Sequence, residues 1–367
     1  MDETAKPQGV DSAIEVFRFV HHVDVPMRSF DFSLGQVLVF SGRSPRKTTV
    51  NEDAAIVISF ADGRLVLAVA DGVGGLKSGD VAASIAIEAL IDRLSISTSV
   101  DSLRSDIVDA IEKANRAVLD SKIGCATTIV IVEIGFDYFR IYHVGDSMVL
   151  HTSNRGRIKH LTVPHSPVGM ALEAGLIQEQ DAIHHEFRHL VSNVIGSESM
   201  RIEIGPPSQM TARDTLVLAS DGLFDNLLPA EITEVVRKGD MQSMQQKLID
   251  AVKQRMTSPA TGEPSKPDDL TIICFRPKAV MKATAINKKI TERLEGNFSC
   301  RSVPIALAKL SQWFDRDLIT EAVKRRLPRR RLRIRRLFVP KGMVCEDTGH
   351  SFLVGIIPMD TGIRWVD

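Results

Sequence analysis

Acidic residues placed at the ends of short apolar runs constrain this chain more than any other feature. Asp53 lies in Asn51-Glu52-Asp53-Ala54, Asp71 in Ala70-Asp71-Gly72-Val73-Gly74-Gly75, and Asp146 in Val144-Gly145-Asp146-Ser147. Asp221 lies in Ser220-Asp221-Gly222-Leu223-Phe224-Asp225, and Asp268-Asp269 precede Leu270-Thr271-Ile272-Ile273. A carboxylate at the mouth of a buried strand is costly unless something neutralises it, and several aimed at one place need a cation. Asp-Gly pairs are ordinary turn formers. Turn chemistry, however, does not require Asp to follow Leu65-Val66-Leu67-Ala68-Val69-Ala70 and again Thr215-Leu216-Val217-Leu218-Ala219-Ser220. The pattern predicts a metal site. Oxygen-only ligands select Mg²⁺ or Mn²⁺ over zinc, and the absence of a D-x-[DN]-x-[DN]-G loop argues against Ca²⁺.

The apolar runs also predict the architecture. Strands are expected over residues 36–40, 54–59 and 65–70, the last two joined by the turn at 61–64, with a second hairpin from 127–134 and 139–144 across 135–138. Four-residue recurrence of Val81, Ile85 and Ala89, and of Leu103, Ile107 and Ile111, predicts two helices. Residues 164–207 lack long regular signals apart from a short helix at 168–174 and read as an insertion over the site. Closing strands at 215–219 and 270–275 flank helices at 230–237 and 241–256, and 259–267 is a loop with three prolines. Strands joined by tight turns imply antiparallel sheets, and the helices come in pairs. An α+β sandwich of two antiparallel sheets flanked by helices follows.

Composition sets the limits. The 367 residues suffice for one large domain and a smaller one, and 44% hydrophobic with only 5% aromatic residues means an aliphatic core. No apolar stretch approaches the ~18 residues of a transmembrane helix, and Asp2 and Glu3 do not suit a secretory signal. The four cysteines form no C-x-x-C pair. A cytoplasmic, reduced location is expected. Zero net charge hides a split, because residues 279–367 carry 18 Lys and Arg against 9 Asp and Glu. The expected division is an N-terminal extension (1–34) with at most one strand, a core domain (35–278) and a basic C-terminal unit (279–367).

Read in order, Asn-Glu-Asp-Ala, Ala-Asp-Gly-Val-Gly-Gly, Gly124-Cys125-Ala126-Thr127-Thr128, His143-Val144-Gly145-Asp146-Ser147, Leu161-Thr162-Val163-Pro164-His165-Ser166, Ser-Asp-Gly-Leu and Asp268-Asp269-Leu270-Thr271 resemble the metal-dependent protein phosphatases of the PP2C (PPM) type, in its bacterial form. The resemblance spans residues 35–278 and implies a serine/threonine phosphatase. In that family a hydroxide bridging two Mg²⁺ or Mn²⁺ ions attacks the phosphoester directly. It implies that Asp71 bridges both ions, that Asp53, Glu52 through water and the Gly72 carbonyl complete one shell, and that Asp221 and Asp268 hold the other. Asp146 with Asp221 would hold a third, weaker ion.

Three departures stand out. The family's phosphate-binding arginine falls at Thr48, leaving Arg43, Arg46 and Lys47 as candidates in its place. Val73 occupies the position of a histidine that serves several eukaryotic relatives as candidate general acid, and Asp269 that of a frequent asparagine. His165 reads as a structural lead-in to the insertion, His184 and His185 as its surface, and a zinc site is not expected for want of paired His or Cys partners.

Phosphorylated proteins are the implied substrates. The alternative is a catalytically weak PP2C-like module that binds or scaffolds phosphoproteins, and a two-metal nuclease is a further rival. The basic run Lys324-Arg325-Arg326-Leu327-Pro328-Arg329-Arg330-Arg331-Leu332-Arg333-Ile334-Arg335-Arg336 suits an acidic protein partner or docking on the chain's own acidic core, and nucleic acid is less favoured.

Overall fold

In the computed structural model the described residues are 14–20, 24–73, 78–96, 102–136, 138–182, 185–188 and 190–278. They form β1 (Ile14–Phe19), β2 (Asp24–Asp31), β3 (Gly35–Gly42), β4 (Asp53–Phe60), β5 (Leu65–Asp71), α1 (Gly79–Ser95), α2 (Leu103–Ser121), β6 (Ile129–Ile134) and β7 (Phe139–Val144). There follow β8 (Met148–Thr152), β9 (Ile158–Leu161), α3 (Pro167–Glu173), α4 (Glu179–Ala182), β10 (Glu203–Ile204), β11 (Thr215–Ala219), α5 (Asp221–Phe224), α6 (Pro229–Val236), α7 (Met241–Thr257) and β12 (Leu270–Pro277). The basic segment 324–336 and His184 lie outside the described residues.

The strands make two six-stranded antiparallel sheets, ordered β1-β4-β5-β6-β7-β10 and β2-β3-β12-β11-β8-β9. Continuous apolar runs, rather than alternating ones, are needed because the central strands are covered on both faces. In β4, Ala54, Ile56, Ile58 and Phe60 face α1 and α2, while Ala55 and Val57 face the second sheet. β12 divides the same way: Ile273 and Phe275 enter the layer between the sheets, and Leu270, Ile272 and Cys274 pack against α6 and α7. The result is the expected α+β sandwich, with three aliphatic layers sharing two sheets.

Residues 14–31 differ from expectation. They supply two strands rather than at most one, β1 pairing with β4 along its whole length and β2 with β3. The β1 side chains are largely exposed or half-buried, so the run has little apolar signature. β2 contains Pro26, which sits where the β2–β3 register shifts between Val25 and Arg28. A proline in a strand is tolerated at such an irregularity and on a sheet edge, and both apply here. The short strands β8, β9 and β10 were likewise not anticipated.

Candidate active site

β4 and β5 pair so that Asp53 stands directly opposite Asp71. The first residue of one strand and the last of the other therefore present their carboxylates side by side at one end of the first sheet. From the second sheet come Asp221, which opens α5 straight after β11, and Asp268, just ahead of β12. Asp146 lies in the turn between β7 and β8. Gly145 holds φ +109° there, and a Cβ would stand 2.5 Å from that of Thr128, so only glycine fits this turn.

Hydroxyls and amides fix the acids. Ser220 Oγ donates to Asp53 Oδ2 at 2.8 Å and accepts from the Thr271 amide at 3.0 Å, joining the ends of the two sheets. The Asp71 amide donates to Thr128 Oγ1 at 3.2 Å, and Thr128 in turn meets Ser147 Oγ at 2.7 Å. Gly72 abuts the start of α1 so tightly that a Cβ would fall 2.3 Å from the Gly79 carbonyl carbon. Its amide donates to the Glu52 carbonyl at 3.1 Å.

The electrostatics are those of acids in mutual repulsion. Asp53 is held well above the usual carboxylate range by burial and then by the charge of Asp269, against the hydrogen bonds from Thr271 and Ser220. Burial also raises Asp71, followed by Asp53, Asp221, Asp268 and Asp146, which places all five in one field. Asp146 is pushed up to about 8 by burial, Asp221 and Asp225, and Asp268 to about 6 by burial and Asp221.

Two lysines answer part of this charge. Lys266 Nζ pairs with Asp221, with Asp225 at 2.9 Å and with Asp268 at 3.3 Å. Burial alone would lower its pKa, but those three carboxylates hold it well above the usual lysine value. Lys47 Nζ lies 2.5 Å from both Glu52 Oε2 and Asp269 Oδ2. Of the three basic candidates for phosphate, Lys47 is thus the one at the acids. Arg43 donates back to its own loop at the Thr49 carbonyl, 3.1 Å away, and Arg46 is exposed.

Asp269 has a definite structural task. Its carboxylate accepts from the Ser44 amide at 2.8 Å and the Glu52 amide at 2.7 Å as well as from Lys47, tying residues 44–52 to the start of β12. Lys47→Met should destabilise the protein by leaving a buried carboxylate unpaired, and adding Asp269→Asn should restore part of the loss. Urea unfolding of the two single variants and the double should give a coupling of about 1 kcal/mol or more; additive losses would show that the pair does not act as a unit.

Asp225 and Lys266 are members of the cluster that the sequence reading did not single out. The available signal was Asp225 four residues after Asp221, one helical turn on. Lys266 carried none beyond its nearness to Asp268, since Asp221 and Asp225 reach it only through the fold.

The structure also corrects the expectation that no histidines would pair. His143 and His165 stack with ring centroids 4.3 Å apart, and with Glu203 their ligand atoms all lie within 4.8 Å of one another. This trio is compact, but both nitrogens of His165 and Nε2 of His143 already have partners. His165 Nδ1 accepts from the Gly145 amide at 3.0 Å and from Asn193 Nδ2 at 2.9 Å, which leaves its proton on Nε2, facing Glu203 Oε2 at 3.2 Å. His143 Nε2 donates to the Val163 carbonyl at 3.2 Å. His165 therefore supports the Asp146 turn from behind. His165→Ala should lower the melting temperature yet leave the metal dependence of any activity intact; abolition of that dependence in a folded variant would contradict this.

The insertion, residues 164–207, contributes α3, α4 and β10, and Arg188 Nη2 donates to the Ser265 carbonyl at 2.8 Å, next to Lys266. Val73 is half-buried, its amide donating to the Ala126 carbonyl at 3.0 Å.

A family model for protein phosphatase 2C matches residues 42–253, more than half of the chain. The chain belongs to the PP2C family. It is 30% identical over 199 residues to the serine/threonine phosphatase stp of Listeria innocua serovar 6a, spanning 51% of this chain and 77% of that protein. The solved serine/threonine phosphatase of S. agalactiae is 25% identical, with a TM-score of 0.57 over 65% of this chain and 98% of that one. The catalytic domain of the serine/threonine protein phosphatase PstP, solved in complex with two manganese ions, shares the fold at 22% identity and a TM-score of 0.53 over 67% of this chain and 99% of that one. The PP2C sandwich thus accounts for the two sheets and their flanking helices, and the acid cluster lies at the sheet ends where β4, β5, β11 and β12 meet.

Proposed function

We infer that this PP2C protein is a metal-dependent serine/threonine phosphatase that hydrolyses phosphoserine and phosphothreonine in proteins. The observation that carries the reading is the meeting of Asp53, Asp71, Asp146, Asp221 and Asp268 from both sheets in one field, where burial and mutual repulsion raise the carboxylates that respond. Oxygen donors alone, with too little positive charge among them, fit hard divalent cations, and Mg²⁺ or Mn²⁺ is our assignment.

Asp71 would serve two ions; Asp53, Glu52 and the Gly72 carbonyl would serve one of them, and Asp221 with Asp268 the other. Asp146 would share a third ion with Asp221. When bound, such ions supply the charge that acidifies a water and stabilises the anionic phosphoryl group in the transition state. The chain's own part is to hold the carboxylates rigidly. Ser220 orients Asp53, Thr128 and Ser147 back the Asp71 strand end, and His165 fixes the Asp146 turn. Lys47 is the residue we assign to the phosphate, as a point charge that would turn from Glu52 and Asp269 to meet it, rather than a two-pronged guanidinium.

A protein substrate is further supported by the insertion, whose Met170, Leu172, Leu176, Phe187 and Leu190 expose apolar side chains on the segment that Arg188 ties to the Ser265 carbonyl, next to Lys266. The rival reading, a phosphoprotein-binding module without turnover, draws on the missing arginine at Thr48. It is disfavoured because all the family's carboxylates are kept together, an arrangement that costs stability without a cation. No helix among the described residues is long and apolar enough to cross a membrane, and we place the protein in the cytoplasm.

The test is release of phosphate from a phosphothreonine peptide with Mn²⁺ and its loss in EDTA. No turnover with either metal on several peptides would leave the binding-module reading, and cleavage of labelled DNA or RNA would favour a nuclease. Because β12 pairs along β3 through Pro277, a protein ending at residue 283 should stay folded and keep small-substrate activity within about tenfold of full length, with protein selectivity changed. An insoluble product would show that the basic unit completes the core.

A further inference from the structure

Half of the acid cluster already holds a cation supplied by the chain. Lys266 Nζ faces the Oδ2 atoms of Asp221, Asp225 and Asp268, the last two at 2.9 and 3.3 Å. We propose that Lys266 is a resident competitor for the divalent ion at these carboxylates, so that the Asp221–Asp268 half of the site takes its ion more weakly than the Asp53–Asp71 half. The inference rests on the metal-centre reading above and goes beyond it by assigning unequal halves and naming the cause.

The backbone of Lys266 is clamped. The fully buried Asn226 accepts from the Lys266 amide through Oδ1 at 2.9 Å and donates through Nδ2 to the Lys266 carbonyl at 2.8 Å. The same amide group donates to the Gly222 carbonyl at 2.9 Å, one residue from Asp221. Arg255 Nη1 donates to the Asn226 carbonyl at 3.1 Å, and Arg188 holds the neighbouring Ser265 carbonyl at 2.8 Å. With the main chain fixed on both sides, the four-carbon stem is the part able to move, and the side chain is 23% exposed, which gives it a way out to water.

Charge decides what displaces it. One ammonium answers three carboxylates, so the group remains negative and still attracts a divalent ion, which carries twice the charge. An ammonium and a divalent ion cannot share the same oxygens without strong repulsion in a poorly solvated site. The ion therefore enters only as the ammonium leaves, and its apparent affinity falls by the cost of breaking three ion pairs. The other half differs, since the corresponding lysine, Lys47, pairs with Asp269 and with Glu52, which is assigned to the ion only through water, and leaves Asp53 and Asp71, which would touch it directly, to the ion.

The test is Mn²⁺ binding to the full-length protein, read by electron paramagnetic resonance of free Mn²⁺, for wild type, Lys266→Met and Lys266→Gln. The wild type should show a tight and a weaker phase, and either variant should tighten the weaker phase about tenfold, within the usual range of coupling between two bound groups, with the tight phase unchanged. A second measurement needs no variant: amine acetylation of the wild type, read by mass spectrometry, should find Lys266 protected without metal and reactive at saturating Mg²⁺. Superimposable isotherms with bound Mn²⁺, weaker binding in the variants, or a Lys266 still protected at saturating Mg²⁺ would overturn this proposal alone. Absence of Mn²⁺ binding in wild type and variants alike would overturn the metal-centre reading and this proposal with it.

Discussion

Asp71→Asn should reduce phosphatase turnover about 100-fold or more and weaken Mn²⁺ binding, because it removes the charge that both ions would share. The fold makes Asp71 the central acid. It stands opposite Asp53 in the β4–β5 ladder and feels Asp221, Asp268 and Asp146 from the remaining segments. The amide is close in size to the carboxylate and can still occupy the end of β5, so the variant should fold; without metal it should even be the more stable, since one of several repelling charges is gone. Phosphopeptide kinetics over a Mn²⁺ series, paired with thermal melts in EDTA, check both halves. Turnover within a few-fold of wild type at saturating Mn²⁺, or a metal-free variant less stable than wild type, would remove Asp71 from the role assigned to it.

In EDTA the melting temperature should fall as pH rises from 6 to 8, and added Mg²⁺ should raise it more at pH 8 than at pH 6. An ordinary aspartate titrates near 3.9 when unfolded, whereas burial and the neighbouring acids raise Asp53 and Asp71, hold Asp268 near about 6 and push Asp146 to about 8. Between those values the metal-free folded protein binds protons that the unfolded chain does not. Its stability from these groups is fully present below the unfolded pKa and is lost as pH climbs through the folded values. This is the reverse of a salt-bridged aspartate. Divalent metal replaces the missing protons, so its stabilising effect grows over the same window, although Lys266 moderates it on the Asp221 side. A shift of several degrees is expected, since about 1 kcal/mol moves the midpoint by about 2–4 °C in a domain of this size. A metal-free midpoint that is flat or rises between pH 6 and 8, or a Mg²⁺ effect larger at pH 6, would contradict the account.

These expectations differ in how early they could be seen. The sandwich and the acid set were legible in the linear chain because both are local patterns. Runs such as Leu65-Val66-Leu67-Ala68-Val69-Ala70 are apolar at every position since β5 is covered on both faces, and an acid that closes such a run has no place except the end of the strands. The motif order around Asp53, Asp71, Asp146, Asp221 and Asp268 then identified the family. A second strand in residues 14–31 escaped the linear pattern because edge strands need bury only part of one face and because Pro26 interrupts β2.

What only the tertiary structure decided is who neutralises whom. Lys47 meets Asp269 across 222 positions and Lys266 meets Asp221 across 45, while His143 stacks on His165 only because β7 lies beside the entry to the insertion. Local sequence determines where a backbone bends and which face it buries, since those depend on neighbouring residues and side-chain period. Ion pairing depends on distances between segments that come together only when the sheets have closed. Thus the sequence by itself determined a PP2C-type sandwich with a cluster of acids at its strand ends, and the closed fold decided that one half of that cluster is held by a lysine of the chain.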